Sequence, residues 1–314
     1  MIEVIRTINL TKIYGKVYAV DDLNLSIKQG EIYGFLGLNG AGKTTTIKML
    51  LGMITPTSGQ CYLQGKRIGR GSVGIWNDVG YIVETPYSYP ELTIEENLEI
   101  VRRLRGVEDR CCVDWIIEKL KLGDYRSKRV KHLSLGNAQR LGIAKAIIHR
   151  PKILLLDEPT NGLDPAGIVE VRRLLVDLAQ NEGTTVLISS HKLDEISKVA
   201  TNIGIIHGGR LIKEIDGRQL QNQLKKVLIL DGRDKEGMRL VLSQAGYDVS
   251  IKDRSLEEES PPLEIYDKDA IDAPEKIAEF LVNAGYPPTL LKVEKEDLEM
   301  YFLRMIGENG GDLE

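Results

Sequence analysis

Residues 37–44 read Gly-Leu-Asn-Gly-Ala-Gly-Lys-Thr, a glycine-rich run ending in Lys43 and Thr44. Few runs constrain a fold more. Its glycines let backbone N–H groups approach phosphate oxygens unobstructed, and its lysine neutralises charge on the terminal phosphates. The flanking segments suit that use. Residues 31–36 read as a strand, and residues 44–51 place Ile47, Leu50 and Leu51 on one helix face before Gly52. Strand, loop and helix in this order aim the positive end of a helix at an anion. The expected site comprises Gly37, Leu38, Asn39, Gly40, Ala41, Gly42, Lys43, Thr44 and Thr45, with ATP as ligand and the Thr44 hydroxyl offered to Mg²⁺.

A second element supplies acids. Residues 153–156 are wholly apolar and run into Asp157, Glu158 and Pro159, as a buried parallel strand ending at a polar edge would. Asp157 can hold Mg²⁺, and Glu158 can orient or deprotonate an attacking water. Residues 184–190 repeat the apolar pattern, and residues 168–178 between them have helical periodicity. Strand, helix and strand predict a βαβ unit in a sheet covered on both faces, which is α/β architecture.

The run Leu133-Ser-Leu-Gly-Asn-Ala-Gln-Arg140 resembles the signature sequence of ABC (ATP-binding cassette) ATPases. Its neighbours in chain order carry the likeness further: Tyr14, the glycine-rich loop, Glu84, the signature, Asp157 and Glu158, the run Asn161 to Pro165, and His191. The resemblance covers about two-thirds of the chain. It implies a P-loop NTPase of ABC ATPase type, with a helical signature subdomain and ATP hydrolysis coupled to transport. Residue by residue, it implies that Tyr14 stacks on adenine; an ordinary surface tyrosine is the alternative, since Tyr18 lies close by. Ser134 and Gly136 would contact the γ-phosphate of ATP on an opposite copy, so two chains in a head-to-tail homodimer would complete each site. Asp164 would belong to the loop linking the two sites. His191 would hold the γ-phosphate and the water in line, beside Glu158 and Lys43 as the catalytic set.

One position departs from the common pattern. Where most members place glutamine, this chain has Glu84, which can still reach Mg²⁺ or water beside Thr44 and Asp157. A similar acid occurs in exporters of the antibiotic-peptide resistance class, and neutral drift from glutamine is an equal reading. The segment 85–98 that follows would face membrane subunits, although a plain solvated loop and helix start is as economical.

Composition shifts near residues 218–226, a basic, Gln-rich stretch that can be a helix. Beyond it come a strand at 227–230, a helix at 235–245, strands at 248–252 and 263–266, a helix at 273–284 and a strand at 289–293. This β-α-β-β-α-β order predicts a small α+β domain of ferredoxin-like type. A last helix, 296–305, puts Leu298, Tyr301, Phe302 and Met305 on one stripe. The expected domains are an ABC ATPase domain at 1–218 and a regulatory or dimerisation domain at 219–314. Through Asp297-Leu-Glu-Met-Tyr-Phe-Leu303 that second piece resembles the extension found after the ATPase of many drug, antibiotic and lipid exporters, although an amphipathic helix packing back on its own domain reads the same run.

Bulk properties narrow the partners. Net charge is −4, which leaves no broad basic footprint for a nucleic-acid backbone, and none is expected as partner. Three cysteines, Cys61, Cys111 and Cys112, fit neither a disulfide framework nor a zinc site and point to a reducing cytosol. The apolar runs are too short to span a bilayer, so separate transmembrane permease subunits would hold the protein on the cytoplasmic face of the cell membrane. An ABC ATPase acting on ribosomes or nucleic acid is the alternative. It lacks support from a second cassette or a coiled-coil insertion. A P-loop kinase would leave the signature and His191 unexplained.

Overall fold

In the computed structural model, the described residues are 2–69, 71–72, 74–84, 86–251 and 261–310. They divide into two units, one of Met1–Leu220 with the chain from Arg304, the other Gln221–Leu303.

The first unit opens with β1 (Glu3–Tyr14) and β2 (Val17–Lys28), long antiparallel strands, followed by β3 (Ile32–Leu36) and α1 (Lys43–Leu50). Next come β4 (Ser58–Leu63), β5 (Lys66–Arg67) and β6 (Val79–Ile82). Three helices follow: α2 (Ile94–Leu104), α3 (Cys111–Lys119) and α4 (Leu135–Ile147). The unit continues through β7 (Ile153–Asp157), α5 (Pro165–Asn181), β8 (Thr185–Ser190), α6 (Leu193–Ile196), β9 (Asn202–His207), β10 (Arg210–Asp216) and α7 (Leu220–Gln223), whose end lies in the second unit.

Two sheets result. In the six-stranded sheet, ordered β10-β9-β3-β8-β7-β6, every pair but β10–β9 is parallel. Every residue of β3, β7 and β8 is buried, the signature of strands covered on both faces. The βαβ unit expected over 153–190 is present, with β7 and β8 side by side. A four-stranded antiparallel sheet, β2-β1-β4-β5, packs its buried face into the same core. In β2 the alternate residues Leu23, Leu25 and Ile27 point inward and the residues between them do not, the period of a half-buried strand.

What positions the site is the parallel sheet. The segments leaving the C-terminal ends of β3, β6, β7 and β8 carry the glycine-rich loop, Glu84, Asp157–Glu158 and His191 respectively. Open parallel sheets bind ligands at that edge.

The second unit runs β11 (Lys226–Gly232), α8 (Lys235–Gln244), β12 (Val249–Ile251), β13 (Leu263–Ile265), α9 (Lys268–Asp272), α10 (Pro274–Asn283) and β14 (Pro288–Lys295). Its antiparallel sheet has the order β12-β13-β11-β14, the split βαβ arrangement expected of a ferredoxin-like fold. Leu228, Leu230, Leu263 and Ile265 meet Met238, Leu242, Ile277 and Leu281 in its own core. Helix α11 (Leu298–Gly310) crosses the unit boundary and buries Tyr301, Phe302 and Met305, with Leu298 half-buried. Two expectations shift. The helix foreseen over 218–226 is only the single turn of α7, and of the strand foreseen over 248–252 the last residue lies outside the described residues.

Candidate active site

The loop between β3 and α1 depends on two glycines. A Cβ on Gly42, whose φ is +105°, would lie 2.3 Å from the Ala19 carbonyl oxygen, and one on Gly37 would lie 2.6 Å from the Ile206 oxygen. No other residue fits either place without moving backbone. Lys43 then begins α1 with its side chain 6% exposed, its ammonium donating to the carbonyls of Gly37 at 2.6 Å and Leu38 at 3.2 Å. The same ammonium lies 3.6 Å from Glu158 Oε1. Asn39, Gly40, Ala41, Thr44, Thr45 and Glu158 line a cavity of about 180 Å³ at this point. A larger cavity, about 900 Å³ beside β4 and β5, contains none of the expected site residues, so chemistry rather than size marks the site.

The acids form a tight network. Thr44 Oγ1 donates to Asp157 Oδ2 at 2.7 Å, and Ser189 Oγ donates to Asp157 Oδ1 at 2.6 Å. Ser189 also accepts from the Glu158 backbone N–H at 3.0 Å. Asp157 is buried, and both its oxygens are engaged by hydroxyls. His191 Nδ1 lies 3.1 and 3.0 Å from the two oxygens of Glu158. An ionised carboxylate only accepts, so Nδ1 carries the proton and Nε2 is left as the ring's other polar atom. Glu158 itself has φ of +48°, a left-handed conformation that side chains other than glycine adopt reluctantly and that gathers at functional sites.

The remaining expected residues lie outside this hydrogen-bonded network. Glu84, φ +57°, pairs with Lys48 of α1 at 2.5 Å. Tyr14 is half-exposed at the β1–β2 turn, with the Lys12 ammonium 5.1 Å from its ring centre. Ser134 is the N-cap of α4 and accepts from the Asn137 N–H at 3.3 Å, while Asp164 caps α5 and accepts from Gly167 at 3.0 Å. These two caps belong to one patch. A Cβ on Gly136 would meet the Gly162 carbonyl at 3.1 Å, and Arg140 of α4 lies 3.8 Å from Asp164. Among the described residues, Ser134, Gly136 and Asp164 share no hydrogen bond or ion pair with the cluster around Lys43, although Gln139 of α4 donates to the Pro159 carbonyl at 2.9 Å.

Sequence reasoning passed over Ser189, the hinge of the acid network. Its signal was a pair of hydroxyl residues, Ser189 and Ser190, closing an otherwise apolar strand just before His191. It also passed over Lys48 as the partner of Glu84.

Comparison with known proteins accords with this geometry. The sequence profile described as ABC transporter matches residues 20–161. The bacitracin transport ATP-binding protein of Bacillus licheniformis is 41% identical over 98% of this chain and 98% of its own length. The lantibiotic transport ATP-binding protein of Streptococcus pyogenes is 40% identical over 69% of this chain and 93% of its own. Among solved structures, a dimeric ATP-binding cassette in a post-hydrolysis state, bound to ADP and Pi, superposes with a TM-score of 0.63 at 26% identity. It covers 68% of this chain and 99% of its own.

Proposed function

The chain belongs to the ABC transporter family as one of its ATP-binding, ATP-hydrolysing proteins, and from that premise we propose how the site works and what it serves. Two copies close head to tail over two ATP molecules. Each Gly37–Thr45 loop would bind phosphates on one side, and Ser134 and Gly136 of the second copy would meet the γ-phosphate from the other, with Asp164 linking the sites. Tyr14 would stack on adenine. The exposure of the α4 N-terminus supports this closure: Ser134 is exposed and its neighbour Leu135 is 67% exposed.

Mg²⁺ fits the donor set. Thr44 and Asp157 present hard oxygen ligands 2.7 Å apart, with Glu84 as a further carboxylate. Among the described residues no group of three His, Cys, Asp or Glu could hold a metal. Mg²⁺ needs none, since it is ordinarily held by one or two protein oxygens and the substrate phosphates. When bound it would supply charge neutralisation on the phosphates. Glu158 takes the proton of the attacking water, and His191, through its Nδ1–H, holds that carboxylate in one orientation. Lys43 neutralises developing charge between phosphate and Glu158.

The observation that carries this reading is the single network joining Lys43, Glu158 and His191 beside the Thr44–Asp157–Ser189 set. Glu158→Gln should keep ATP binding, lower turnover by about 10²-fold or more, and accumulate an ATP-bound dimer on size exclusion. Wild-type turnover in that variant would refute the assignment.

The use we propose is export of an antibiotic peptide through separate membrane subunits on the cytoplasmic face. Among the described residues no helix is long and apolar enough to cross a membrane. Two relatives named for bacitracin and lantibiotic transport support the cargo class. The protein should be recovered from detergent extracts with an integral membrane protein. Recovery with ribosomes instead would sink the reading.

A further inference from the structure

Strands β6 and β7 run parallel with Ile82 opposite Leu156, and each chain continues two residues further to a glutamate, Glu84 and Glu158. Both are left-handed, with φ of +57° and +48°. Each is also met by a lysine of α1: Lys43 reaches Glu158 at 3.6 Å and Lys48 reaches Glu84 at 2.5 Å. Adjacent parallel strands lie roughly 4.8 Å apart. The sheet edge therefore carries the same device twice, a backbone-held carboxylate matched to a cation on one helix. Thr44 and Lys48 are four residues apart and share a face of that helix, so the Lys48–Glu84 pair lies one turn along from the hydroxyl that meets Asp157.

We propose that Lys48 is a positioning residue for ATP binding, which holds Glu84 and balances its charge beside the polyphosphate. Three carboxylates, Glu84, Asp157 and Glu158, end at this edge: Lys48 pairs with Glu84 and Lys43 with Glu158, while Asp157 is met by the Thr44 and Ser189 hydroxyls. Without Lys48 the Glu84 carboxylate repels the anionic nucleotide. The pair is not there for fold stability. Glu84 is 65% exposed and Lys48 26%, and ion pairs this open contribute little to folding. Lys48 also lies in the last turn of α1, where a cation favours the helix end regardless of Glu84. The test separates those two roles.

The inference rests on the placement of Glu84 near the phosphates, not on Glu158 as base or on the cargo. Equilibrium ATP binding is measured for the full-length wild type, Lys48→Met, Glu84→Gln and the double variant, with the melting temperature of each. Lys48→Met should weaken binding about tenfold at low salt and much less at about 1 M salt, where screening reaches within ~3 Å. In the Glu84→Gln background the same replacement should change affinity less than about twofold. Lys48→Arg should stay near wild type, and melting temperatures should not move. An equal loss in both backgrounds, or a loss that tracks melting, overturns the inference while leaving the ATPase reading intact. No loss in either background overturns both the inference and the placement of Glu84.

Discussion

The cluster around Lys43 and the patch around Ser134 are built from opposite materials. In the first, buried strand ends lock each functional group to another: Asp157 accepts from Thr44 and Ser189, and Glu158 meets Lys43 and His191. In the second, exposed helix N-termini offer groups outward. Ser134 and Asp164 cap their own helices, Asp164 lying 3.8 Å from Arg140 as well, and Leu135 is exposed beside Gly162. A saturated network can hold a nucleotide in one copy. A cap with a free helix end needs an anion delivered to it. Under the closure proposed above, one half of a shared site is the locked cluster and the other is the outward-facing patch that would meet the second copy.

The sharpest way to break that contrast is Ser134→Arg. Under the proposed closure a bulky cation at the α4 N-terminus blocks the second copy and opposes the helix end electrostatically. ATPase activity should fall by roughly 10²-fold or more, while ATP binding to single copies stays within about twofold of wild type. Light scattering in the presence of ATP should give monomer mass. Retained ATP-dependent dimers would show that the patch is an ordinary solvated helix start.

A smaller effect is expected inside the locked cluster. Ser189→Ala removes the hydroxyl that ties Asp157 to the Glu158 backbone, leaving a buried carboxylate oxygen without its donor. Turnover should fall about tenfold, with ATP affinity changed less; a variant as fast as wild type would show that the network is not needed to orient the acids. This residue also marks the limit of what sequence revealed. The glycine loop, Asp157 and Glu158 were legible because each closes a local pattern, a strand or a loop whose period is read over a few residues, whereas His191 was legible only through the family resemblance. The hydroxyl bridges were not, because they join residues far apart in sequence: Thr44 to Asp157 spans 113 positions and Ser189 to Asp157 spans 32. The left-handed backbones of Glu84 and Glu158 and the pairing of Lys48 are likewise set by neighbouring strands and by α1, which no single segment encodes.

The mildest test uses pH. Helix α4 carries Ser134 at one end, and just past its other end His149 Nε2 lies 3.2 Å from the Val79 carbonyl oxygen of β6. A carbonyl only accepts, so Nε2 holds the proton, and Nδ1 is buried without a partner. Burial, aided by the nearby Arg105 guanidinium, pushes the ring's pKa down to about 4 from an ordinary value of 6.5. A depressed histidine pKa means the unfolded chain takes up the proton first as pH falls. The stability this ring contributes is therefore fully present above about pH 6.5 and is lost progressively towards pH 4. The fastening of α4 to β6 should weaken over that window, and with it the presentation of Ser134, while the acid network on β7 and β8 lies on other elements. ATP-dependent dimerisation should then decline below about pH 6.5 before single-copy ATP binding does. His149→Gln, whose side chain can donate to the same carbonyl but does not titrate, should flatten that decline. If both activities fell together in wild type and variant alike, the two halves of the site would not be separable by this fastening.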